Sequence, residues 1–142
     1  MRSRILIVDD NVFLTEILRR MLVDEGFEVH TEMDGQKGYF SYILNQPHVI
    51  LTDIHMPGGD GIQLMRKIQR HDPEVPAIYM GGDWARLESV AGAGADNPCV
   101  RFLRKPFSAG ELMRLLYECL HCGGKGFPNK SRPPLFPDTI TI

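Results

Sequence analysis

Asp9, Asp10, Asp53 and Lys105 stand far apart in the chain, yet their types could do chemistry together. Three carboxylates gathered in one place would repel and hold protons unless a cation neutralised them, and an all-oxygen donor set selects a hard ion such as magnesium. Magnesium keeps several waters and takes phosphate oxygens, so the cluster points to phosphate chemistry rather than to a closed structural site. Lys105 adds an ammonium on a long stem that can reach a phosphoryl oxygen. Phosphoryl transfer needs mainly an aligned nucleophile and positive charge around the equatorial oxygens. Asp53 is placed to be that nucleophile. A carboxylate attacking phosphorus yields an acyl phosphate, reactive enough to be a temporary mark. Taken singly, an Asp pair after a strand is often a helix cap and Lys-Pro after a strand is often only a turn. The chemical reading stands on the four residues jointly.

The elements that must gather them are legible as apolar runs alternating with helical periodicity. Strands are predicted over Arg4–Val8, Phe27–Thr31, Val49–Thr52 running into Asp53, Pro76–Met80 and Val100–Leu103. Leu14, Ile17, Leu18, Met21 and Leu22 share one face of a first helix, which Gly26 stops. Gly35 to Asn45 reads as a second helix, and Ile62, Leu64, Met65 and Ile68 mark a third. Trp84 to Ala93 is a fourth. In the last, Ser108 and Glu111 form a capping-box pattern ahead of the stripe Leu112, Leu115, Leu116, Cys119 and Leu120. Five strands alternating with five helices imply right-handed crossovers and an α/β, doubly wound parallel sheet, for which the flavodoxin-like strand order 2-1-3-4-5 is the topology chosen. Its ligand site forms outside the carboxyl ends of the strands, where Asp9, Asp10 and Asp53 all fall.

The chain has 142 residues, 43% of them hydrophobic, which suits one domain over residues 1–122. From residue 123 the composition turns to Gly, Pro, Lys and Ser, and residues 123–142 read as a tail or linker. Thr139 to Ile142 alternate as an edge-pairing strand would, although a mobile linker is the blander reading. Residues 123–142 are too few for a DNA-binding output domain. A formal net charge of -2 gives no pull toward nucleic acid or a membrane surface, so neither is expected as a direct partner. The apolar run after Met1 is cut by Asp9 and Asp10 and is no signal peptide. No stretch approaches the ~18 apolar residues of a membrane span. Three cysteines without an export signal fit a reducing compartment, and the location read from this is cytoplasmic.

Other features carry weaker signals. Cys119 and Cys122 are spaced like a redox or metal pair, with Cys99 as a third ligand, but one CxxC lacks a partner pair and Cys119 continues an apolar stripe, which favours packing. The glycines at 92 and 94 follow a helix rather than a strand and read as a helix end. Trp84 serves equally as a partner anchor or as packing. Arg66, Lys67 and Arg70 form a solvated helix face.

Over residues 4 to about 121 the sequence resembles the receiver domains of two-component response regulators. The acidic pair is Asp9 and Asp10; the phosphoacceptor segment runs from Leu51 through Asp53 to Pro57, with Asp60 and Gly61 after it; Lys105, Pro106 and Phe107 are the lysine segment. The resemblance implies that Asp10 and Asp53 ligate magnesium, that Asp9 acts through water, and that the backbone carbonyl of His55 is a further ligand. It implies that Lys105 contacts the phosphoryl group, that the Lys105–Pro106 bond is cis, that Met56 and Pro57 shape the loop, and that Gly61 lets the next helix begin tightly. His55 and Asp83 stand where hydrolysis of the acyl phosphate is tuned. The implied partners are a histidine kinase or phosphotransfer protein and a downstream protein, with a homodimer as another candidate.

One position departs from the family. Gly81 occupies the end of strand four, where Thr or Ser is usual, and the aromatic coupled to it, Phe102, also lacks a hydroxyl. Transfer chemistry can survive, since backbone N–H groups at Gly81 and Gly82 can substitute as donors. The conformational switch is the step put in question, together with the output surface, because the Gly94–Val100 loop is long and holds Pro98. Two readings result. One is a phosphorylation-dependent signalling module, a phosphoprotein that catalyses only its own phosphoryl transfer and autodephosphorylation. The other is a degenerate receiver acting as an interaction or dimerisation module. A small-molecule phosphatase ranks below both: His55 stands where such an enzyme places a general acid, and no cap domain is present.

Overall fold

The computed structural model describes residues 2–56, 60–83 and 97–122. Five parallel strands, β1 (Arg4–Val8), β2 (Glu28–Glu32), β3 (Val49–Asp53), β4 (Ala77–Gly81) and β5 (Val100–Arg104), form one sheet in the order β2-β1-β3-β4-β5. This is the expected order, one among those that the alternation of elements allows. The described helices are α1 (Val12–Asp24), α2 (Gly35–Asn45), α3 (Gly61–His71) and α4 (Ala109–Leu120). The helix expected over Trp84–Ala93 and the tail of residues 123–142 lie outside the described residues.

Strand alternation divides the core into two layers. Ile5, Ile7, Leu51, Ile78 and Met80 face α1 and α4, against Leu14, Leu18, Leu22, Leu112 and Leu116. Leu6, Val8, Ile50 and Tyr79 face the other way, against Leu64, Met65 and Ile68 of α3. The three central strands therefore read as continuous apolar runs, and burying each such side chain favours folding by roughly 1.5–3 kcal/mol. The edge strands carry the polar residues, Glu28, His30 and Glu32 on β2 and Arg101 and Arg104 on β5.

A short polar side chain starts each described helix by accepting a backbone N–H. Asn11 caps α1 through Leu14, Asp34 caps α2 through Lys37, and Ser108 caps α4 through Glu111. The complete reciprocal capping box stands at Asp60 and Gln63 of α3. Beyond α1 the chain turns through Gly26 at φ 94°, a left-handed value that glycine adopts without a Cβ clash.

Three local expectations need correction. Ile17, placed by periodicity on the buried face of α1, is half exposed, because the sheet covers a narrower stripe centred on Leu14, Leu18 and Leu22. β2 and β4 each start and end one residue later than expected, since ladder partners and not apolarity set strand ends. Cys99 and Cys122 are joined by a disulfide across 23 residues, whereas reduced thiols were expected. Cys119 is the free cysteine among the described residues and is buried in the core, as its place in the apolar stripe suggested.

Candidate functional site

β1 and β3 lie side by side, with Val8 opposite Thr52, so the residues that follow them emerge at one rim of the sheet. Asp9, Asp10 and Asp53 meet there, each offering a carboxylate oxygen, and these atoms lie within 4.8 Å of one another. β4 and β5 complete the rim, pairing Gly81 with Arg104, and the Lys105 N–H donates to the Gly81 carbonyl at 2.9 Å. That bond continues the β4–β5 ladder as far as Lys105. Its Nζ is 2.7 Å from Asp9 Oδ2 and 3.4 Å from Asp53 Oδ2. The next peptide bond, Lys105–Pro106, is cis.

The three acids differ in environment, and that separates what each can do. Asp9 is 0% exposed, and both its oxygens are engaged: Oδ1 accepts the Asn11 N–H at 2.9 Å and Oδ2 accepts from Lys105. Asp10 is exposed. Asp53 is 9% exposed, and its Oδ1 accepts the Ile54 N–H at 2.8 Å, which fixes the carboxylate plane. Burial raises the Asp53 carboxyl above its usual range and the Asp9 charge raises it further, while Lys105 and the Ile54 N–H pull it down. Without a metal the charged form of Asp53 is therefore disfavoured by folding.

A carboxyl raised on folding contributes stability below its unfolded pKa, and that contribution is lost as pH rises through the folded value. In chelator at neutral pH, Asp53→Asn is expected to melt above the parent protein, with the gap closing under acid conditions where both side chains are neutral. Thermal scans across pH check this; equal melting temperatures at neutral pH would remove the carboxylate strain from the site.

Gly61 matters through close approach. A Cβ built there would collide with the Asp53 carbonyl oxygen and lie 2.9 Å from Thr52 Oγ1. The Gly61 N–H donates to the Ile54 carbonyl at 2.9 Å, so α3 begins hard against the end of β3.

The other expected site residues differ in their surroundings. His55, Asp83 and Pro106 are exposed at the rim, and Met56 is half-buried against the α3 layer. Pro57 lies outside the described residues. Gly81 is buried at the end of β4. Phe102, half-buried, stacks on Tyr79 with ring centroids 5.7 Å apart and planes at 14°. Two participants escaped the sequence reading. Asn11 both caps α1 and donates to Asp9; an Asn between an acidic pair and a helical run was the available signal. Tyr79 holds Phe102, which needed the β4–β5 register to be known.

An oxygen-rich cluster of this kind suits a hard divalent cation; Asp10 is exposed, and Asp53 Oδ2 stands 3.4 Å from Lys105, a looser hold than the 2.7 Å that ties Asp9 Oδ2 to it. Among the described residues, no helix is long and apolar enough to cross a membrane.

The family description "Response regulator receiver domain" matches residues 5–117. The transcriptional regulatory protein PrrA of Mycobacterium tuberculosis is 33% identical over 141 residues, covering 98% of this chain and 56% of that protein. The response regulator MprA of a Mycobacterium species is 34% identical over 115 residues, covering 80% of this chain and 48% of that protein. The chain thus spans about half the length of the curated relatives it matches. Among solved structures, the receiver domain of NtrX from Brucella abortus superposes with a TM-score of 0.74 at 27% identity, covering 84% of this chain and 99% of that one. A CheY-like receiver from Methanospirillum hungatei gives 0.76 at 26%, covering 84% and 94%.

Proposed function

The chain belongs to the response regulator receiver domain family, and we propose on that ground that it is a magnesium-dependent phosphoacceptor in which Asp53 takes a phosphoryl group from a phosphohistidine. The donor is a histidine kinase or phosphotransfer protein of a two-component system. One observation carries the reading: three carboxylates within 4.8 Å of one another share a rim with the Lys105 ammonium, 3.4 Å from the Asp53 oxygen.

In the proposed reaction an Asp53 oxygen bonds to phosphorus as the bond from phosphorus to the imidazole nitrogen breaks, leaving an acyl phosphate. Ile54 holds the carboxylate plane, and Lys105 is in reach of a phosphoryl oxygen on Asp53. Asp10, Asp53 and the His55 backbone carbonyl would hold magnesium, with Asp9 acting through water; bound there, the ion supplies positive charge against the phosphoryl oxygens. His55 and Asp83 flank the site and are proposed to tune hydrolysis. The chemistry is the protein's own modification, not turnover of a substrate.

α1 offers the docking face. Phe13 is 83% exposed, with Val12 and Ile17 also exposed on this helix, which begins two residues after Asp10. A partner helix laid on that apolar face would bring its histidine to Asp53. The downstream partner is a protein, and the location is the cytoplasm where such kinases present their phosphohistidine. PrrA is named a transcriptional regulatory protein, so a lack of nucleic-acid contact is proposed only for this domain's own charge-balanced surface.

The test is intact-mass measurement after incubation with a small acyl phosphate and magnesium. One phosphoryl adduct is expected on the parent protein, and none on Asp53→Asn or in chelator. An unmodified parent protein, or an adduct that persists in Asp53→Asn, overturns the assignment.

Gly81 and Phe102 favour a second reading for the step after phosphorylation. Gly81 has no hydroxyl to track a phosphoryl oxygen, and Phe102 is already committed to Tyr79. On this reading the chain acts as a constitutive interaction or dimerisation module. Hydrogen exchange with and without the phosphodonor separates the two: protection changes over β4 and β5 support a working switch, and a phosphorylated protein with an unaltered exchange map supports the module.

A further inference from the structure

We propose that Cys99 and Cys122 form a thiol–disulfide clamp, closed by exchange with a low-molecular-weight disulfide and opened by thiols, that fastens the end of α4 to the start of β5. Cys99 sits in the turn just before β5 and Cys122 lies two residues past α4, with their Cα atoms 5.6 Å apart. That separation falls inside the range of about 4.4–6.8 Å that a disulfide spans without backbone movement.

Contacts that do not depend on the bond hold the two cysteines in place. Arg101 Nε pairs with Glu118 at 3.2 Å across the same junction, and the Arg101 guanidinium also donates to the Pro98 carbonyl at 2.7 Å. The Cys119 thiol donates to the Cys99 carbonyl at 3.7 Å. Upstream, Asn97 accepts the Cys99 N–H at 2.9 Å and donates to the Val75 carbonyl at 3.2 Å, anchoring the turn to the chain before β4. Reduced, the sulfurs therefore remain neighbours in the folded state, so little ordering opposes closure, while the covalent bond suppresses the transient local opening that noncovalent contacts permit.

Exposure assigns the roles. Cys122 is half-buried and meets an incoming disulfide first, while Cys99 is 3% exposed. The Cys122 thiolate attacks one sulfur of the external disulfide and releases one thiol; the Cys99 thiolate then attacks the Cys122 sulfur and releases the second. Two electrons pass from the protein sulfurs to the external disulfide, and the two protons leave on the released thiols. Cys119 does not compete. It is fully buried, and burial pushes its thiol up to about 12.

The clamp lies at the end of β5 opposite Lys105, so it needs no phosphoryl group on Asp53. Residues 123–142 begin immediately after Cys122, and the redox state therefore sets how firmly the root of that segment is held.

The test uses the whole chain in glutathione buffers of defined ratio, trapped with iodoacetamide and mapped as peptides. Oxidised protein is expected to yield a linked Cys99–Cys122 peptide, with only Cys119 alkylated after denaturation, and dithiothreitol should reverse this. Hydrogen exchange over residues 117–122 should slow at least tenfold on oxidation, and Cys122→Ser should abolish the difference while keeping the parent circular dichroism spectrum. Three equally alkylated cysteines, a stable glutathione adduct on Cys122, disulfide-linked dimers, or exchange indifferent to redox state would each overturn the clamp.

Discussion

Lys105→Ala is expected to destabilise the metal-free protein and to slow its phosphorylation, through two separable effects. Asp9 is 0% exposed, and Lys105 Nζ at 2.7 Å is the cation beside it. Removing one partner of a buried pair strands the other charge, at a cost of about 3–5 kcal/mol. The Lys105 side chain is 24% exposed, so solvent screens part of the interaction, and a loss of about 2–3 kcal/mol is the expectation. Magnesium should restore much of this by supplying charge to the same carboxylates. It should not restore the rate: losing a cation aimed at a developing phosphoryl charge slows transfer roughly 10²–10³-fold. Denaturant melts in chelator and in magnesium, run beside phosphorylation time courses, separate the effects. A variant with unchanged stability in chelator and an unchanged rate in magnesium removes Lys105 from the site.

Gly61→Ala carries the second large effect, although it adds one methyl group and no charge. The new Cβ meets the Asp53 backbone carbonyl, which belongs to the strand and cannot swing aside like a side-chain end. Either the first turn of α3 lifts and weakens the Gly61 N–H bond to Ile54, or the end of β3 shifts and takes Asp53 with it. Overpacking of this kind costs about 1–3 kcal/mol, and a backbone collision belongs at the upper end. A misplacement of about 1 Å at the nucleophile can cost roughly 10²-fold in rate. Gly82→Ala is the control for stability: nothing lies within 4 Å of a Cβ there, and the change should stay within about 0.5 kcal/mol. If Gly61→Ala melts and phosphorylates like the parent protein, α3 does not press on β3.

The extent to which the site is legible depends on how local its causes are. Asp9, Asp10 and Asp53 could be placed at one rim from the chain alone, because continuous apolar runs identify strands buried on both faces, and parallel strands deliver their carboxyl ends to the same side. The start of α4 was legible for the same reason, since Ser108 accepts an N–H group only three residues away, whereas the caps Asn11, Asp34 and Asp60 went unread.

Alternation and capping act over a few residues, so residue order alone was enough for the order of the described elements and the family resemblance, while the sheet order 2-1-3-4-5 was one choice among those that alternation allows. Which atom touches which depended on how distant segments pack. Lys105 rests closer to Asp9 than to Asp53 across 96 positions, Phe102 lies on Tyr79, Ile17 escapes the core, and Cys99 finds Cys122 rather than Cys119 as its covalent partner. Periodicity tells a residue which face it occupies; the packing of whole layers tells it which neighbour waits there.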